Sequence, residues 1–256
     1  MNRRPDHMKL HHPIRIGIAA VAVSAALAAA GVLPAMAAST PSASPTAAGA
    51  CTGSVSVMLA CIDQRASTAV SNRETALQKM TSDVNNSKDI SASDRATLLG
   101  QIQADESGLT TLLATIKGDT TVKQALADTA TIVTGYRVYL LEQPKVHLVI
   151  AANTETTVEV NLQSKLPSIQ TAINNSSASA AQKAAAQTAF NDCTTQLAAA
   201  QSASSGIVSE VIDLLPSGYP GNQPTLVSAR DQAQTARSDL GKCKTDLKTI
   251  RTDLAS

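Results

Sequence analysis

Apolar residues recur three and four positions apart from about residue 54 to the end of the chain, which is the period of an amphipathic helix. Polar breakers divide this pattern at Asn85–Asp89, Gly118-Asp119, Asn174–Ser179 and Pro216–Pro224. The first predicted helix runs from Ser54 to Val84, with Met58, Ile62, Ala66, Ala69, Leu77, Met80 and Val84 near one face. The second begins at Ser91, where Ser91-x-x-Asp94 resembles a capping box with Asp in place of Glu. Its stripe is Leu98, Leu99, Ile102, Leu109, Leu112, Leu113 and Ile116, and Gly118 ends it. The third starts near Asp119 and carries Val122, Leu126, Ile132, Val133, Tyr136 and Tyr139.

Pro144 either opens a new helix, where its missing N–H costs nothing, or kinks a long one. Positions 132, 136, 139, 143, 146, 150 and 153 keep a 4-3 rhythm across the proline, although Gln143 and Asn153 are polar. The rhythm favours one kinked helix from Asp119 to Asn174, which would span about 80 Å at the helical rise. Pro167 is a second candidate kink within it.

Two further helices carry regular heptads. Ala186, Phe190, Cys193, Leu197, Ala200, Ser204, Ile207, Val211 and Leu214 step 4-3 throughout. Leu226, Ala229, Ala233, Ala236, Leu240, Cys243, Leu247, Ile250 and Leu254 step 3-4. Heptads on both sides of a Pro/Gly turn predict an antiparallel hairpin with a coiled-coil seam. A register in which facing residue numbers sum to 436 sets Cys193 against Cys243. A register summing to 440 separates the two cysteines by about 6 Å along the axis, too far to bridge. The cysteines favour the first register, and Cys51 would then pair locally with Cys61.

The fold class expected is therefore all-α, with long antiparallel helices. Two tandem three-helix bundles would share a central helix kinked at Pro144, dividing the chain into an N-terminal bundle over 54–143 and a C-terminal one over 144–256. A single six-helix bundle is the alternative.

The N-terminus changes the charge picture. Arg3, Arg4, Lys9 and Arg15 precede an uncharged, mostly apolar stretch from Ile16 to Leu33, and Ala35-Met36-Ala37 follows Pro34. This is the order of a secretory signal peptide over residues 1–37, cleaved near Ala37. An uncleaved segment would be the only membrane anchor expected. Residues 38–53, rich in Ser, Pro, Thr and Ala, read as a flexible tether. The full chain is formally +1. Removing the leader's four bases and one acid leaves 17 of the 21 Lys+Arg and 19 of the 20 Asp+Glu, a net −2. Such a chain has no basic field for nucleic acid. The mature chain keeps four cysteines, Cys51, Cys61, Cys193 and Cys243. In an oxidising compartment an even count reads as two disulfides. It keeps one histidine, His147, so a His-based metal site is not expected, nor is a cofactor.

Aromatic residues number four in 256: Tyr136, Tyr139, Phe190 and Tyr219. That scarcity disfavours aromatic-lined pockets and base-stacking surfaces. It also singles out Tyr136–Ile150, which holds two of the three tyrosines, the mature histidine, and Arg137, Glu142 and Lys145. The run Tyr136-Arg137-Val138-Tyr139, then Pro144-Lys145-Val146-His147 and Ile150-Ala151-Ala152, resembles a stretch in a family of uncharacterised exported, all-helical proteins of actinobacteria. The resemblance implies an exported helical protein and supplies no activity and no catalytic residues.

Two readings of this segment compete. The tyrosines simply pack at a helix junction, or Tyr136, Arg137, Tyr139, Lys145 and His147 form a recognition patch, Arg and Tyr being favoured interface anchors. Asp105-Glu106 and Glu155/Glu159 read as solvated helix faces. No serine sits in a nucleophile-elbow motif and no phosphate loop is present. The function expected is a non-enzymatic, exported helical module of the cell envelope or extracellular space that meets an envelope protein or polymer. The alternative is a small-molecule or ion binder at the Tyr136–His147 junction.

Overall fold

The structure, a computed structural model, describes residues 51–255. The expected leader, and the tether as far as Ala50, lie outside the described residues. Among these residues there are helices and no strand: α1 (Val55–Asn86), α2 (Ala92–Gly118), α3 (Val122–Thr134), α4 (Gln143–Asn175), α5 (Ala180–Ser204), the single turn α6 (Ile207–Val211) and α7 (Gln223–Ala255). A π-helical turn, Val138–Glu142, precedes α4, and a 3-10 turn, Pro216–Gly218, precedes α7. The all-α class is as expected.

Local chemistry sets the helix starts. Ser54, Ser91, Thr121 and Ser179 each accept a hydrogen bond from a backbone N–H of the first turn, satisfying one of the donors a helix start leaves unpaired. At Ser179 the bond is reciprocated by Gln182, completing a capping box. The turn between α1 and α2 is fastened by Arg95, whose guanidinium donates to the carbonyls of Val84 and Ser87. Asn153 of α4 then holds the α2 start, accepting from the Ser91 N–H and donating to Asp94.

The expected continuous helix from Asp119 to Asn174 does not form. The chain breaks at Gly135–Arg137, where Arg137 adopts a left-handed conformation with φ 49°. Pro144 instead lies in the first turn of α4, where its lack of an N–H leaves no bond broken. Pro167 lies inside α4 without ending it. The break changes the α3 stripe as well. Ala125 and Ile132 are buried, whereas Leu126 and Val133 face outward.

Below the break the buried face of α4 runs Leu148, Ala152, Glu155, Glu159, Leu162, Leu166 and Ile173. Lys145 begins the same 3-4 rhythm, and Ile169 fills it between Leu166 and Ile173. This phase differs from the one the apolar residues alone predict, because three of its members are ionisable. Position 105 on α2 fills the gap between buried Ile102 and Leu109 in the same way.

Three apolar clusters follow. The largest joins α1, α2 and α3 to the first half of α4, α6 and the start of α7. A second joins Leu162 and Leu166 of α4 to Leu197 and Ala200 of α5 and Ala236 and Leu240 of α7. The third closes the far end of α4 with Ala186, Ala189 and Ile250. Small residues on facing seams let the α5 and α7 axes approach closely. The disulfide Cys193–Cys243, with Cα atoms 4.0 Å apart, sits there and matches the register in which facing numbers sum to 436. Cys51–Cys61 ties the segment before α1 to its second turn. The α5 heptads continue past Ser204, but the helix itself stops there and resumes at Ile207 after Gly206. No described helix is long and apolar enough to cross a membrane, and two disulfides suit an oxidising extracellular environment.

Candidate functional site

The π turn is the centre of the candidate site. The carbonyl of Arg137 accepts from the N–H groups of Leu140, Leu141 and Glu142, which winds residues 138–142 wider than an α-helix. Val138, Leu141 and Glu142 go inward, while Tyr139 and Leu140 remain 45% and 46% exposed.

Inside, Lys145 is fully buried. Its Nζ donates to Glu142 Oε1 at 3.0 Å and to the carbonyl of Leu214 at 3.0 Å, and lies 2.8 Å from Glu142 Oε2 without a directed bond. Gln101 of α2 donates to the carbonyl of Ile212 at 2.9 Å, and Asn222 donates to that of Leu215 at 3.0 Å. Three side chains thus satisfy the carbonyls left over where α6 ends. Burial pushes the Glu142 carboxyl up from its ordinary value, against the pull of Lys145. Asp105 on α2 is pushed up to about 7, first by burial and then by the Glu142 charge, with Lys145 opposing. One of its oxygens is buried without a partner. The Tyr136 hydroxyl is raised by burial and by Asp105. Its ring lies over Gly108, where a Cβ would stand 2.5 Å from the hydroxyl oxygen.

Outside, two arginines lie on tyrosine rings. Arg73 of α1 is 5.5 Å from the Tyr139 ring centre, and the Tyr139 hydroxyl donates to the Asn72 carbonyl at 3.0 Å. Arg137 is 4.7 Å from the ring centre of Tyr219, in the loop before α7. Such contacts attract the cation to the negative face of the ring.

The five predicted patch residues are therefore sorted by the fold. Tyr136, Arg137 and Tyr139 surround the turn. Lys145 points inward and its charge is consumed there. His147 lies on α4, with Nε2 3.9 Å from Asp83, a carboxylate already paired with Lys79. Burial lowers the His147 pKa, with Asp83 opposing. Tyr139 touches α1 at Asn72 and Arg73, ten residues before Asp83, so about 15 Å of helix separates the two contacts.

Glu155 and Glu159 are not the solvated face expected of them. Each is 4% exposed, between α4, α5 and α7. Glu155 meets Arg237 at 3.4 Å, and Glu159 accepts from the Ser204 hydroxyl at 2.9 Å. Burial pushes Glu155 up to about 7, with Arg237 opposing and Glu159 adding to the rise. Asp105 and Glu106 are likewise half-buried rather than exposed. The missed signal was the 3-4 phase itself, once charged residues are allowed to occupy it. Among the described residues, no three His, Cys, Asp or Glu side chains are placed to hold a metal ion. Comparison of the chain with family models, curated proteins and solved structures returned no match.

Proposed function

We propose that this is an exported, non-enzymatic helical module whose π turn is a docking surface for a macromolecule of the cell envelope or extracellular space. The observation that carries the reading is the exposure of Tyr139 and Leu140 side by side on a turn anchored from beneath by Glu142 and Lys145. A large aromatic and a leucine held outward on a rigid base make a preorganised contact, with little side-chain entropy left to lose on binding. Arg73 and Arg137 extend the same surface with the residue types interfaces favour.

The leader cleaved near Ala37 and the tether to residue 53 would deliver the helices outside the membrane. The two disulfides support that destination. The resemblance carried by residues 136–152 supports membership of an exported actinobacterial family. The test is capture from a native envelope fraction by immobilised residues 38–256. A partner that is retained by the wild type and lost with Tyr139→Ala/Leu140→Ala, both variants remaining helical, is the expected result. Equal capture by both refutes the turn as the docking surface.

A further inference from the structure

Glu155 and Glu159 stand one helical turn apart on the buried face of α4, about 6 Å along the axis. Against these two carboxylates the neighbouring helices bring one cation. Arg237 of α7 reaches Glu155 at 3.4 Å, and Ser204, the last residue of α5, donates to Glu159 at 2.9 Å. The charged residues of α5, Lys183 and Asp192, lie well before Ser204. Glu210 of α6 is exposed, Asp239 of α7 is paired with Lys242, and Asp94 of α2 is bound to Asn153. Glu155 Oε2 is buried with no hydrogen-bond partner. Two carboxylates against one guanidinium leave a dry site one positive charge short, and the smallest group that supplies it is a proton.

The pair adjoins a break in the backbone. α5 stops at Ser204, and α6 restarts at Ile207 after Gly206. The Cys193–Cys243 bond staples α5 to α7 three helical turns before the break, so it holds the hairpin and not the segment beyond. Residues 204–212 are held instead by burial of Ile207, Val211 and Ile212 and by a side-chain bond at each end: Ser204 on Glu159, and Gln101 on the Ile212 carbonyl.

We infer that Glu155 and Glu159 form a proton-operated latch: with one proton between them they hold the end of α5 closed on α4, and when that proton leaves, residues 204–212 open while the disulfide-stapled hairpin stays folded. Loss of the proton puts two like charges one turn apart in a dry site. Water reaches them by displacement of the α5 end, which a single neutral hydroxyl fastens there, whereas α7 is tied by Arg237. Burial pushes both carboxyls up, Glu155 to about 7 against the pull of Arg237, and Glu159 against that of Ser204. A group that binds its proton more tightly in the closed state favours closure at low pH. Opening therefore grows as pH rises from about 5 to about 7 and levels off above that.

The experiment is amide hydrogen exchange of residues 204–212 in the disulfide-intact chain, corrected for the intrinsic rate at each pH and set beside urea unfolding of the same sample. Their opening constants should exceed the global unfolding constant at both pH 5 and pH 8. They should also rise by about tenfold or more between the two, one pKa unit being a factor of ten. Glu155→Gln, which keeps the shape of the protonated acid, should abolish the rise. Asp105→Asn, which removes the other raised carboxyl, should leave it in place. The wild-type comparison decides by itself if either variant fails to fold. Exchange no faster than global unfolding, or equal opening constants at the two pH values, overturns the latch. So does a rise that survives Glu155→Gln or that disappears with Asp105→Asn.

Discussion

Lys145 and Glu142 form a buried ion pair at 2.8 Å, three residues apart, across the junction between the π turn and α4. The same ammonium donates to the Leu214 carbonyl, so one side chain fastens the turn, α4 and the loop after α6. Breaking one side of such a pair strands a charge in a dry site. Lys145→Met should therefore cost about 3–5 kcal/mol in urea unfolding. The double variant Lys145→Met/Glu142→Leu should recover much of that loss, since both charges leave together. A single variant within 1 kcal/mol of wild type would show that the pair carries little.

Buried Glu155 and half-buried Asp105 lead the pH dependence, and Glu142 and Glu159, also raised by burial, act with the same sign. Glu155 and Asp105 both sit at about 7 in the folded chain, above their unfolded values of 4.5 and 3.8. An acid with a raised folded pKa binds its proton more tightly in the native state. Stability is then highest below the unfolded pKa, declines as pH rises toward 7, and is flat above it. For Glu155 the difference corresponds to about 3 kcal/mol. Asp105 contributes less, because its site is wetter and screened. The groups facing them are Arg237 and Glu159 for Glu155, and Glu142, Lys145 and Tyr136 for Asp105. The urea midpoint should be higher at pH 5 than at pH 8, and Glu155→Gln should remove much of the difference. A midpoint that rises with pH would contradict the assignment.

The cross-link between α5 and α7 closes a separation of 50 residues. Cys193→Ala/Cys243→Ala should lose about 4 kcal/mol in the chain-entropy model. The shorter Cys51–Cys61 loop should lose about 3 kcal/mol. Mass spectrometry after alkylation without reduction should find no modified cysteine, as all four are bonded.

Glycine substitutions separate the site from the scaffold. Gly100 and Gly241 lie in helices, and a Cβ at either meets nothing within 4 Å. Alanine at each should stabilise by about 0.5–1 kcal/mol. At Gly108 the new methyl would press on the Tyr136 ring, so Gly108→Ala should gain nothing and should alter tyrosine emission. Equal gains at all three positions would mean that Tyr136 does not rest on α2.

Much of this architecture can be read from the chain because its signals are local. Ser91 marks a helix start by side-chain chemistry alone, and the Asn174–Ser179 breaker brackets the start of another. The cysteines selected the hairpin register where heptads left two choices. The α4 phase was hidden because Lys145, Glu155 and Glu159 occupy its seam, and an apolar count skips them. The break at Arg137 was hidden for a related reason. A left-handed arginine is stabilised by contacts with Tyr219, some eighty residues away, and no neighbouring residue announces it. Of the site, Tyr136, Arg137 and Tyr139 were legible through the scarcity of aromatics. The inward turn of Lys145 depends on Leu214 and was not.

Amide hydrogen exchange with and without the captured envelope partner tests the docking surface most directly. New protection is expected to concentrate in residues 136–142 and in α1 around Asn72 and Arg73, with α5 and α7 unchanged. Protection confined to the α5–α7 hairpin, with the π turn exchanging as before, would contradict it.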